Sequence, residues 1–140
     1  MKTIFFTTIL SLMSFVSLAQ SEFNFFGFGF NYIDYTSPQT KMESLLIYGP
    51  VKEPVLWSDG FNLFEINIDK KTFTHNYVNE TGLGETSTIT NLIKTEEYIK
   101  FNVTSKKFGP YTCMISLNTN SKYGFIVKYN KGNKTQIAFF

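Results

Sequence analysis

His75 is the only histidine in the chain, so any Ser-His-Asp or Cys-His relay has to be built on it. It lies in a segment where alternation turns Phe73, His75 and Tyr77 to one side, and a histidine between two inward aromatics reads as a packed, hydrogen-bonded neutral ring. Cys113 is the only cysteine. It shares a face with Tyr111, Ile115 and Leu117, where a thiol behaves as a small apolar side chain. The nearest charges, Lys106 and Lys107, belong to the preceding turn, too far along the strand to activate it. One histidine and one cysteine do not make a zinc set, so no metal and no other cofactor is expected. A carboxylate pair would suffice for glycoside hydrolysis. Of the acids Asp59, Glu65, Asp69, Glu80, Glu85, Glu96 and Glu97, alternation turns Glu65 and Asp69 outward and places the rest in turns, as on a solvated surface.

Aromatic platforms for a ligand are easier to nominate. Trp57, the sole tryptophan, precedes the Ser58-Asp59-Gly60 turn, and with His75 and Tyr77 it forms the candidate ligand-binding set. The segment Asn79 to Glu85, with glycines at 82 and 84, reads as a contact loop.

Composition narrows the partners. The 140 residues are 43% hydrophobic and 17% charged with a net charge of +2, the profile of one ordinary globular domain. All 13 basic residues are lysines. Arginine, which makes bidentate contacts to phosphate and guanine, is absent, and the lysines are scattered through turns, so no nucleic-acid partner is expected. Three Asn-x-Thr sequons, at Asn79, Asn102 and Asn133, are about what this composition produces unaided.

The first nineteen residues read as a signal peptide. Lys2 supplies the positive start, Ile4 to Val16 an apolar run, and Ser17-Leu18-Ala19 the small residues before a cut. The run is too short for a membrane helix. No cysteine follows the cut, unlike a lipoprotein signal, so the expected mature product is a single all-β domain, residues 20–140, free in the periplasm or secreted.

What must position the candidate residues is a set of strands. Turn signals recur every 11 to 14 residues, near Asp59-Gly60, Lys70-Lys71, Gly82 to Gly84, Glu96-Glu97, Gly109-Pro110, Asn120-Ser121 and Gly132-Asn133. That spacing fits one strand plus a short connection, and short connections make antiparallel neighbours. Between the turns the residues alternate in period two: Ile99, Phe101 and Val103 against Lys100, Asn102 and Thr104, and Phe64, Ile66 and Ile68 against Glu65, Asn67 and Asp69. Folding about Lys70-Lys71 predicts the pairs Phe64 with Tyr77, Ile66 with His75 and Ile68 with Phe73. Folding about Ser121 and Gly132 predicts Leu117, Phe125 and Phe139 in one row, Ile115, Val127 and Ile137 in the next, and Cys113, Tyr129 and Thr135 in a third.

Toward the N-terminus, Phe26, Phe28, Phe30 and Tyr32 share a face whose back, Gly27, Gly29 and Asn31, is bare enough for a close neighbour. Ser37-Pro38 can open a short helix with Met42, Leu45 and Leu46 on its apolar side before Gly49; a strand through Leu45 to Tyr48 competes with it. The expected fold is therefore all-β: an antiparallel up-and-down meander of eight or nine strands, closing into a small barrel or a curved two-faced sheet, with at most one short helix. In size and connections it resembles the small-barrel group of lipocalins and fatty-acid-binding proteins, although phenylalanines follow Gly27 and Gly29 where the first lipocalin strand carries Gly-x-Trp.

The function expected first is a non-catalytic binding module whose partner is a protein or a small apolar molecule. An eight-stranded barrel is just wide enough for its own side chains, which favours the protein. A small outer-membrane barrel is the second expectation, since period-two alternation serves lipid as readily as a core. A hydrolase working through a carboxylate pair is the third.

Overall fold

A computed structural model describes residues 20–28, 31–35, 41–50, 55–56, 61–77, 84–106, 109–131 and 134–140. Ten strands and one helix occur among them: β1 (Glu22–Phe28), β2 (Asn31–Tyr35), α1 (Met42–Tyr48), β3 (Val55–Leu56), β4 (Phe61–Asn67), β5 (Thr72–Tyr77), β6 (Glu85–Lys94), β7 (Tyr98–Ser105), β8 (Gly109–Ser116), β9 (Phe125–Lys131) and β10 (Lys134–Phe139). Eight of the strands run six residues or more, and β2 and β3 are shorter additions.

The sheet is antiparallel and curls as a half-barrel in the order β1-β4-β5-β6-β7-β8-β9-β10-β2-β3. From β4 to β10 it is an unbroken meander, because each connection is too short to do anything but return the chain beside itself. The N-terminal segment serves both flanks. Its first part, β1, pairs with β4, its second, β2, pairs with β10, and only residues 29 and 30 separate the two.

Alternation turns one apolar set inward along each strand. Ile99, Phe101 and Val103 are buried while Lys100, Asn102 and Thr104 lie on the outer face. Rings fill the interior: Phe64 meets Phe125 at 5.1 Å and Phe140 at 4.8 Å edge to face, and Phe25 stacks on Phe125 at 4.9 Å. Such pairs favour offset or edge contact over a face-to-face sandwich.

A second, smaller core lies on the opposite face. Helix α1 buries Met42, Leu45 and Leu46 against Met114, Ile126, Ile137 and Phe139 of β8 to β10. The helix therefore forms, as one of the two sequence alternatives has it, and Lys41 is its N-cap; Ser37-Pro38 lies outside the described residues. Gly49 ends it at φ 78, where its N–H donates to Leu45 O at 2.9 Å, a left-handed position suited to glycine. Glu43 reaches across to Lys100 of β7 at 3.8 Å.

The registers correct the sequence-derived pairings. In the β4–β5 hairpin Phe64 faces His75 and Ile66 faces Phe73, two residues from expectation. The turn sits one residue earlier because Asn67 Oδ1 accepts from Lys70 N at 2.8 Å and Lys71 adopts φ 54. Between β8 and β9 Cys113 faces Val127 and Ile115 faces Phe125, again a slip of two. Even slips leave every side chain on its expected face.

The β9–β10 pairing differs by one residue, and that reverses faces. Val127 faces Ala138 and Ile126 faces Phe139. Lys131 pairs with Lys134, so only Gly132 and Asn133 lie between the strands, the two-residue connection that hairpins prefer. Ile137 and Phe139 consequently belong to the outer core under α1 rather than to the interior.

In β1 it is Phe23 and Phe25 that turn inward, and Phe26 is 69% exposed. Phe140 packs beside Gly27, its ring 3.7 Å from where a Cβ would stand, an ordinary contact distance.

Candidate functional site

The inner face is apolar at one end and polar at the other. Ile66, Phe73, Ile99, Ile115 and Phe125 close the end beside the Lys70-Lys71 turn. At the far end each successive strand contributes a polar side chain: Asn62 from β4, His75 from β5, Glu85 from β6, Ser105 from β7, Tyr111 from β8, Tyr129 from β9 and Gln136 from β10. Tyr111 stands opposite Tyr129, and Tyr129 opposite Gln136, so the polar groups follow the sheet from strand to strand.

Three local arrangements hold this end together. His75, only 5% exposed, lies face to face on Phe64 with centroids 4.3 Å apart and donates from Nε2 to Oδ1 of Asn62 at 2.9 Å. Glu85 accepts from Ser105 Oγ at 2.7 Å and from the backbone N–H of Lys106, fastening the start of β6 to the end of β7. The rings of Tyr111 and Tyr129 meet edge to face at 6.2 Å. Buried polar groups need such partners, because an unmade hydrogen bond away from water costs more than a made one returns.

His75 is thus placed inward as expected. Tyr77 ends β5 opposite Asn62, with its side chain outside the described residues; Trp57 and the segment 78–83 also lie outside them, as does the proposed signal peptide. Glu65, Asp69, Glu96 and Glu97 are exposed, in keeping with a solvated surface. Glu85 departs from that reading: it is half-buried and engaged by β7.

Cys113 is fully buried, and desolvation pushes its thiol well above the usual range, so it remains protonated. Among the described residues no three of His, Cys, Asp and Glu gather as a metal set, and no helix is long and apolar enough to cross a membrane.

Sequence reasoning did not bring Asn62, Ser105, Tyr111, Tyr129 and Gln136 together. A signal existed in the polar residue that begins or ends each inward stripe, as with Ser105 after Val103 and Tyr111 before Cys113. Its meaning depends on registers that place all those termini at one end. Chemically, the arrangement gathers hydroxyls, amides, a carboxylate and an imidazole at that end, buried or half-buried beneath a rim that includes the exposed Gly84, Lys106 and Pro110. Neither family models, nor curated proteins, nor solved structures show a match to this chain.

Proposed function

We propose that the protein is an exported, non-catalytic binding module that holds a protein partner at the polar end of the half-barrel. The observation that carries this reading is the division of the inner face. Its apolar part is filled by the protein's own rings, Phe64, Phe73, Phe101 and Phe125, and its polar part by donating and accepting side chains that are themselves buried or half-buried, with the exposed Gly84, Lys106 and Pro110 at their rim. A filled interior favours contact at an end over carriage of an apolar molecule within.

The outer face supports a soluble product over a lipid-embedded one. Glu22, Asn24, Glu65, Thr86, Thr88 and Thr104 are exposed there, and lipid would meet charges where an outer-membrane barrel carries its apolar band. Trp57 stands four residues before Phe61 in sequence, and Tyr77 closes β5 opposite Asn62 of β4. Trp57, His75 and Tyr77 therefore enter the proposal as contact or supporting residues. The N-terminal Lys2 to Ala19 pattern is the ground for placing the mature chain in the periplasm or outside the cell.

Site-specific photocrosslinking in the native host tests the reading. Benzoylphenylalanine in place of Lys106, at the polar end, is expected to give discrete protein adducts, and the same residue in place of Asp69, at the apolar end, none. Adducts from position 69 alone would overturn it. So would one-to-one uptake of a fluorescent fatty acid with no adduct from 106, or retention in the membrane fraction until detergent is added.

A further inference from the structure

Charge is divided along the chain. All 11 acidic residues lie between Glu22 and Glu97, where five lysines accompany them, whereas residues 98–140 hold seven lysines and no acid. The fold keeps that division in space. Strands β7 to β10, which come from the acid-free part, lie side by side, and β1, β4, β5 and β6 form the neighbouring flank. Of the acids that border the lysine flank, Glu43 of α1 is taken by Lys100 at 3.8 Å, Glu85 of β6 by Ser105 Oγ at 2.7 Å, and Asp34 of β2 stands opposite Gln136.

The acidic flank has a shaped surface. On the outer face of β1, β4 and β5 a groove of about 330 Å³ is lined by Glu22, Asn24, Glu65, Asn67, Thr72 and Thr74, and by no lysine. Asn67 Nδ2 donates to Glu22 Oε1 at 3.3 Å, which orients that carboxylate without cancelling its charge. Glu65 is exposed and has no ion-pair partner among the described residues.

The lysine flank concentrates its charge at the far end. Lys106 follows β7 and is exposed, and Lys131 and Lys134 stand directly opposite each other at the base of the β9–β10 hairpin. Like charges so placed oppose the pairing of their strands, and β7 to β10 hold no acid to offset them. We propose that a second copy of this chain supplies the counter-charge: the lysines at the β7–β8 and β9–β10 turns of one copy dock on the Glu22 and Glu65 groove of another. The same chain carries both members of the complementary pair, and a net charge as small as +2 sets little repulsion against the approach. Complementary potentials fix which surfaces meet and speed their encounter. The association needs no other protein and does not depend on the partner proposed for the polar end.

The test is sedimentation of the purified protein over a concentration series at about 0.01 M and at about 1 M salt. Self-association is expected at the lower salt and monomer at the higher. Two double variants then separate the surfaces: Glu22→Gln with Glu65→Gln neutralises the groove, and Lys131→Gln with Lys134→Gln neutralises the hairpin. Each alone is expected to associate at least about tenfold more weakly than the parent at the lower salt. An equimolar mixture of the two is expected to recover a dimer, because each copy keeps the surface the other lacks, and that recovery shows both variants to be folded. The proposal is overturned by a parent that stays monomeric at the lower salt, by association that persists at about 1 M salt, by either variant associating like the parent, or by a mixture no tighter than its components.

Discussion

His75 and Asn62 sit on neighbouring strands and share a buried hydrogen bond of 2.9 Å, with the imidazole laid on the ring of Phe64. Removing the amide leaves a ring N–H in the protein without that acceptor. Asn62→Ala is accordingly expected to cost about 1–3 kcal/mol in a urea titration. The double variant Asn62→Leu with His75→Phe is expected to lose less than the sum of its single changes, because both polar groups go together.

The outer core under α1 gives a second expectation. Leu46 is 1% exposed between the helix and β8 to β10, so Leu46→Ala is expected to destabilise the protein by about 2–5 kcal/mol. Phe26→Ser, at an exposed ring of the same sheet, is expected to stay within about 0.5 kcal/mol of the parent. Equal losses from the two, measured by thermal unfolding, would deny the helix its packing role.

Lys71 holds φ 54 in the β4–β5 turn, and Gly49 holds φ 78 after α1. Lys71→Gly is expected to raise stability by up to about 1 kcal/mol by removing the strain of a Cβ in the left-handed region. Gly49→Ala is expected to lower it by at least as much, since a Cβ there would also lie 2.7 Å from Lys122 Cδ. Denaturation midpoints of the two variants should move in opposite directions.

The thiol of Cys113 gives a pH dependence with a definite sign. Burial raises its pKa above the ordinary value of 9.0, so the unfolded chain releases the proton first as pH climbs. The contribution of this group is fully present below 9.0 and is lost as pH rises through the higher folded value. Stability measured between neutral and alkaline pH is expected to fall more steeply for the parent than for Cys113→Ala. Labelling by a thiol reagent at neutral pH is expected to follow the rate of unfolding.

The meander and most of its faces were legible because period-two alternation survives a register slip of two, as in the hairpin where Ile66 meets Phe73 instead of His75. Strand β10 resisted the same treatment. With Ile137 and Phe139 on one side and Ala138 and Phe140 on the other, it is apolar on both, so alternation cannot say which set faces inward. The answer depends on α1, whose apolar side needs a surface to cover. The polar end was the least legible feature, since Asn62 and Gln136 reach the same end of the sheet only through the pairings of every strand between them.

The N-terminal segment that serves both flanks of the sheet also sets the order of events in synthesis. Tyr35 pairs with Thr135, so β2 has no partner on β10 until the ribosome has added a further hundred residues. Contacts of such wide separation form late and slowly. A sheet whose first strands wait for its last ones gains its full set of pairings in one late step, so β2 stands without its β10 neighbour through most of synthesis.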